Sequence, residues 1–381
     1  MNLEGELAVT LTHDGREVRR VDVASTRPQV AARLLTGKTA VDAATTIPLL
    51  FAVCGGAQGA AAASALAAAG AAGFAGDSAA RVAGIVVESL QEGFWHLLIG
   101  WPNAMASEPN VTPVTAARYL IATSARTPDG TDLLGDAVAM RGLADGLAQI
   151  ARKAIFGRDP AAFAALASVR DLETWATQVE TLPARLLRHV LADAVAARHD
   201  DTALMPPASG EWLAATIAPA LAGEPRFAQA PSVAGLPLET GALARLQHHP
   251  LVAACAQRYG RGVVTRIVAR LAEIPVALDE LAGAADASPR VRSVALPDGS
   301  GLGAVETARG LLLHRARLHE ECVIDYQIVA PTEWNFHPQG ALVRTLTGAA
   351  ANDESALLRH ARLAVHTLDP CVACRVQVAH A

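Results

Sequence analysis

The sequence predicts an α+β fold dominated by helices, with small antiparallel sheet elements drawn from both ends of the chain. Three observations predict it. The composition is 51% hydrophobic but only 4% aromatic, and the alanine excess behind those figures favours close helix packing over an aromatic-rich β architecture. The N-terminal segment GELAVTLTHDGREVRRVDV alternates apolar and polar residues. A second alternating stretch, RGLLLHRARLHEECVIDYQIVAP, occurs towards the other end.

Taken in order, the first alternating run turns at Asp14–Gly15, a residue pair suited to a tight hairpin. Helical text follows. Arg27 to Gly37 reads as a helix with Gly37 as its stop. Ala40 to Val53 reads as a second and the alanine-rich Gln58 to Ala72 as a third. Arg81 to Ile99 reads as a fourth, ending before Pro102. The stretch from Thr112 to Leu221 is Ala/Leu/Arg helical text, broken by a loop around Pro206 and Pro207. Gly241 to Gln247 and Gly262 to Leu281 read as helices. ASPRVRSVALPDGSGLGA is turn-rich and mixed, and the second alternating stretch reads as a strand pair about His319–Glu321. Glu354 to His366 reads as the last helix, followed by DPCVAC.

Several function classes are disfavoured. A net charge of −5 and a pI near 6.2 leave no basic footprint for nucleic acid. The N-terminus has no basic end followed by an apolar core, so a secretory signal is not expected. Five cysteines without regular spacing argue against a disulfide framework and for a reducing cytoplasm. Ala43 to Gly76 carries no charge and is long enough to span a bilayer. It is mostly Ala, Gly and Thr, however, and is expected to be a helix buried in protein without membrane insertion.

Cys371 and Cys374 form a C-x-x-C. Two such thiolates can face one metal ion, but the spacing alone also fits a dithiol redox pair or two structural cysteines. Cys255 and Cys322 are expected to be buried small hydrophobes, and His96 a packed core histidine.

The neighbouring residues resemble a known family. D-P-C-V-A-C is similar to the C-terminal D-P-C-x-x-C motif of nickel–iron hydrogenase large subunits. LEGEL resembles that family's R-x-E-G-H, and IPLLFAVCGGAQ its R-x-C-G-x-C-x-x-x-H. VESLQEGFWHLLIGWP is similar to the helix after that motif. LETGALAR resembles E-T-G-P-L-A-R, VETARGLLLH resembles E-A-P-R-G-x-L-x-H, and VAPTEWNF resembles V-x-P-T-x-W-N. The matches run in order from residue 3 to residue 377. The resemblance implies one large-subunit-like domain over 1–381. Its parts would be an N-terminal hairpin (1–24), a helical body (27–285) and a mixed C-terminal part (286–381) that carries the cysteine pair.

In that family the first cysteine of each C-x-x-C binds nickel alone, and the second of each bridges nickel and iron. The motif's arginine falls here on Leu49, its first cysteine on Phe51, its second on Cys54 and its histidine on Gln58. Cys371 and Cys374 both survive, and the histidine expected three residues later is Gln377. Both iron-touching positions, Cys54 and Cys374, are therefore cysteine, while one nickel-only position is a phenylalanine that cannot ligate. The sequence stops seven residues past Cys374, so no C-terminal extension awaiting removal is expected. These departures resemble the HupK/HoxV-type accessory proteins of hydrogenase maturation.

That resemblance implies a non-catalytic scaffold for the Fe(CN)2(CO) unit, with Cys54, Cys371 and Cys374 as metal ligands and nickel disfavoured. Its partners would be other maturation proteins and the hydrogenase large subunit. The rival readings are a divergent hydrogenase and a metal-free adaptor. Arg309 matches the arginine placed over the metal site, where its guanidinium suits a bound cyanide; the alternative is an ordinary ion-paired arginine. Asp369 initiates a turn before Pro370 and would order the Cys371 loop. Glu4 matches an N-terminal glutamate near the family's site, or is a solvated strand residue. Gln58 and Gln377 stand where the family has histidines and cannot shuttle protons as histidine does. Arg27 and Glu239 match positions of mostly structural use.

Overall fold

The computed structural model describes residues 5–27, 30–51, 54–74, 78–127, 132–192, 201–283, 290–350 and 353–380. Glu4 lies outside the described residues. The N-terminal alternation folds as β1 (Glu6–His13) and β2 (Val18–Ser25), joined through Asp14 and left-handed Gly15. Leu7, Val9 and Leu11 are the buried face of β1, as period two requires. The last strand pairs with β1 as well, so the two ends of the chain meet in one sheet. That strand, numbered in order below, covers Ala373–His380 and runs parallel to β1, with Leu7 opposite Cys374 and His13 opposite His380. This sheet is therefore mixed where an antiparallel one was expected. The terminal strand leaves helix Glu354–Leu368 through Asp369, whose left-handed backbone (φ 53°) sets the direction of entry.

Short strands β3 (Ala203–Leu204), β4 (Ser232–Val233) and β5 (Leu236–Glu239) form a second small sheet. It interrupts text that reads as helical or loop, and β4 turns into β5 through Ala234 and Gly235, both at positive φ. The third sheet is an antiparallel meander of β6 (Val291–Ala295), β7 (Ser300–Thr307), β8 (Gly310–His319) and β9 (Cys322–Val329). The expected turn about His319–Glu321 is present as the two-residue connection Glu320–Glu321, both left-handed. The terminal strand is β10.

Helix Gly55–Ala68 lies across one face of the meander. Its alanines Ala57, Ala61 and Ala65 pack with Val305, Leu312, Ala316 and Tyr326. The opposite face, carrying Leu302, Ala304, Leu311 and Leu313, packs on Leu213, Ile217 and Trp334. The largest core surrounds helix Val263–Leu281, which is buried on nearly every side. The helix expected to end before Pro102 continues past it. Ser78–Trp95 passes through a wide π turn at His96–Gly100 into Trp101–Ala104, and the proline follows directly on that turn, where the regular helical ladder is already interrupted. Among the described residues no helix is long and apolar enough to cross a membrane. The charge-free segment instead breaks into helix Ala40–Thr46, a 3-10 turn at Ile47–Leu50 and helix Gly55–Ala68.

Candidate metal-binding site

Cys54 and Cys371 meet at the junction of several elements. Cys54 is the residue that opens helix Gly55–Ala68. One turn along, Gln58 donates from Nε2 to Cys54 Sγ at 3.7 Å, while its Oε1 lies 2.8 Å from His314 Nε2 on β8. His314 Nδ1 is 2.7 Å from the Tyr326 hydroxyl on β9. Burial holds His314 down to about 3, so the ring is neutral. The expected Gln58 position is thus a buried bridge from the sulfur to the sheet.

Cys371 follows the left-handed turn at Asp369. Thr332, in the first turn of helix Pro331–Asn335, accepts the Cys371 N–H at 3.3 Å, and its Oγ1 lies 3.1 Å from Cys371 Sγ. Arg27, just past the end of β2, donates from Nη1 to Cys371 Sγ at 3.3 Å and pairs with Glu333 at 3.6 Å. The Arg27 guanidinium carbon lies 5.7 Å from the centre of the Phe51 ring, a cation–π contact. Burial opposes the Arg27 charge, but Cys371, Glu333 and Cys54 together raise its pKa. That guanidinium is bonded to Cys371 and also feels the charge of Cys54.

Burial, with the charges of Cys371 and Glu88 added, pushes the Cys54 thiol up to about 12 against the pull of Arg309 and Gln58. A helix N-terminus normally lowers a thiol pKa. Here that end is taken by the Glu88 carboxylate, which accepts from Gly56 N–H at 2.9 Å and Ala57 N–H at 3.3 Å. Burial raises Glu88 itself to about 7, helped by Glu92 and opposed by those N–H groups and Arg309.

Arg309, at the β7–β8 turn, donates to Glu92 at 2.8 Å and sits 3.5 Å from Asp369. It is ion-paired, and its charge also reaches Cys54 and Cys371. Asp369 is buried among Arg309, Arg270 at 3.2 Å and His96 at 3.7 Å. Burial would raise its pKa, but those neighbours hold it well below the carboxylate range. Asn335 ties the site together, accepting from Thr240 N–H at 2.9 Å and donating to the carbonyls of Arg309 and Leu368. His96 is packed, as expected, and stacks on His366 with ring centres 3.8 Å apart.

Cys374 does not join this cluster. It lies in β10 on the face shared with Val376 and Val378, against the main core. Burial and then Glu6 raise its thiol to about 11. Among the described residues no three His, Cys, Asp or Glu side chains stand together as a metal-holding group. The expected three-sulfur pocket is in this structure a two-sulfur site, because strand alternation turns Cys374 to the core. Gln377 bonds Thr10 at 3.0 Å across β10 and β1, away from the sulfurs. Cys255 is buried as expected, whereas Cys322 is only half-buried at the turn that opens β9. Sequence reasoning gave Arg27 only a structural use and missed Thr332 and Glu88. Thr332 lies inside the quoted VAPTEWNF and Glu88 inside the quoted VESLQEGFWHLLIGWP, so both motifs were usable signals; the contacts of Arg27 become visible only where separate elements meet.

The site is therefore two thiols under two arginines, one of them bonded to a threonine hydroxyl. A profile of the nickel-dependent hydrogenase family matches residues 241–377, which includes Arg309, Asp369 and both C-terminal cysteines. Among solved structures, the Ni-Fe-Se hydrogenase of D. vulgaris Hildenborough superposes with a TM-score of 0.55 over 94% of each chain at 17% identity, a likeness of fold. The hydrogenase expression/formation protein HoxV of Cupriavidus necator is 33% identical over 94% of this chain and 92% of its own. HupV of Azotobacter chroococcum, also named a hydrogenase expression/formation protein, is 34% identical over the whole of both chains. With the fold of a hydrogenase large subunit and likeness over its full length to such proteins, the chain belongs to the HoxV/HupV/HupK family of hydrogenase expression/formation proteins.

Proposed function

We infer that this protein is a non-catalytic accessory of hydrogenase maturation that carries the Fe(CN)2(CO) unit as cargo and hands it to a hydrogenase large subunit in the cytoplasm. The observation that carries this reading is the bond of Arg27 to Cys371, with the Phe51 ring against the same guanidinium and the charge of Cys54 within its reach. Two thiols suit an iron unit that brings its own diatomic ligands. Ferrous iron with two cyanides and two thiolates is anionic, and the cationic groups of Arg27 and Arg309 complement it. Phe51 offers no ligand where a large subunit would hold nickel.

The same chemistry supports release. Iron has to displace a proton from a Cys54 thiol that burial raises to about 12, so binding weakens when the proton returns. Glu88, raised to about 7, is an acceptor of suitable strength beside that end of the helix. Such a site protects cargo without trapping it.

Infrared spectroscopy of protein isolated from a maturation-competent cell tests the reading. Cyanide and carbonyl stretches are expected, lost in Cys54→Ala and in Cys371→Ala and retained in Cys374→Ala. Absence of the bands from the unaltered protein would favour a metal-free adaptor. Hydrogen-dependent dye reduction with stoichiometric nickel would make it an enzyme instead.

A further inference from the structure

A second cavity lies apart from the sulfurs. It occupies about 280 Å³ between helix Val263–Leu281, the short helix Ala242–Arg245, strands β6 and β7, and the Met205–Ala208 loop. Pro206, Val276 and Ala304 contribute to a wall that is more apolar than polar. Charged groups line the rest, and most are already matched. Arg245 donates to Glu273 at 2.8 Å and to Glu306 at 2.7 Å.

Arg290 differs. Its Nε donates to both oxygens of Glu280, at 3.0 and 2.8 Å. Its Nη1 is fully buried with no hydrogen-bond partner among the described residues, and the residue is only 6% exposed. A buried guanidinium edge left unmatched forfeits hydration without return. Arg292, which also lines the cavity, has no ion pair among the described residues.

We propose that this cavity is a binding site for a small organic carboxylate with an apolar tail. The carboxylate accepts from the free edge of Arg290, with Arg292 near by, and the tail lies on Pro206, Val276 and Ala304. A planar carboxylate matches the fork of an arginine. Glu273, Glu280 and Glu306 line the same space, so a singly charged head is accepted where a dianion is repelled. The site does not depend on the iron reading, because it shares neither Cys54 nor Cys371.

Calorimetric titration of the full chain at neutral pH with butyrate, propylmalonate (a dianion there) and 1-butanol tests the proposal. Butyrate is expected to saturate one site, with the other two probes roughly 10-fold weaker or more, as loss of a charged hydrogen bond implies. Arg290→Met should abolish butyrate binding. Since that change leaves Glu280 without its cation, Val276→Phe provides a second variant that fills the space and leaves every charge in place; it too should abolish binding while the melting temperature holds. Equal binding of butanol, undiminished binding by a folded Val276→Phe protein, or no heat from butyrate would each overturn the assignment.

Discussion

At Cys54, two neighbours decide the state of one sulfur. The helix that begins there would stabilise a thiolate, yet the Glu88 carboxylate occupies the first free N–H groups and adds its own charge. In the apo protein at neutral pH, iodoacetamide should label Cys54 much more slowly than half-buried Cys322, as read by mass spectrometry. Glu88→Gln keeps an acceptor for those N–H groups and removes the charge, so labelling of Cys54 should speed up several-fold; an unchanged rate would refute the electrostatic account. Arg27 is the residue most undervalued by the sequence. It lies in no quoted motif, and its bond to Cys371 spans the chain from residue 27 to residue 371. Arg27→Gln should lower the iron loading read by infrared bands, with Arg27→Lys recovering part of it. The cysteines and Arg309 were legible because motifs carry them; the placement of Cys374 was not, because the motif does not say which face of a strand its second sulfur takes.

The element that presents Cys54 is held by smallness on both sides. A side chain at Gly301 or Gly303 of β7 would put Cβ within 2.1 Å of the Ala65 carbonyl oxygen or 2.2 Å of that of Ala61. Those contacts are backbone, which cannot rotate aside, so the alanine tract and the two glycines are one fitted surface. Gly303→Ala should lower stability by about 1–3 kcal/mol and, by lifting the helix, raise the reactivity of Cys54. A denaturant melt and the labelling rate check the two effects. Hairpins β1–β2 and β8–β9 were readable from period two, and Gly37 from its position after helical text. Strand β10 is also written in period two, as Cys374, Val376 and Val378, a short run that overlaps the cysteine motif. Its parallel partner could not be read, since register between distant segments depends on the path of the chain.

Across the whole molecule the buried acids set opposing trends with pH. Burial raises Glu88 and Glu333 to about 7, from an ordinary value of 4.5. Between those values the folded chain holds protons that the unfolded chain has released, so stability falls as pH rises through that window. Asp369 acts in the other sense, with its pKa lowered below 3.8. Its contribution is complete above that value and is lost as pH falls further. Buried His314 and His366, whose pKa values are lowered from 6.5, act in the rising sense over the same window, so Glu88→Gln with Glu333→Gln should make the melting temperature of the apo protein climb more steeply from about pH 5 to pH 7 than in the unaltered protein. An unchanged slope in the double variant would contradict it. The fold class was legible at this scale because alanine content and strand alternation are properties of long stretches, whereas the charge network needs six segments in place at once.

Strand β1 lies between β2 and β10. A ribosome therefore releases the first strand long before the neighbour that covers its open edge exists. Throughout translation that edge stays bare, and Cys371 arrives with the same late segment. The sulfur site is thus completed only when the C-terminal segment docks beside β1.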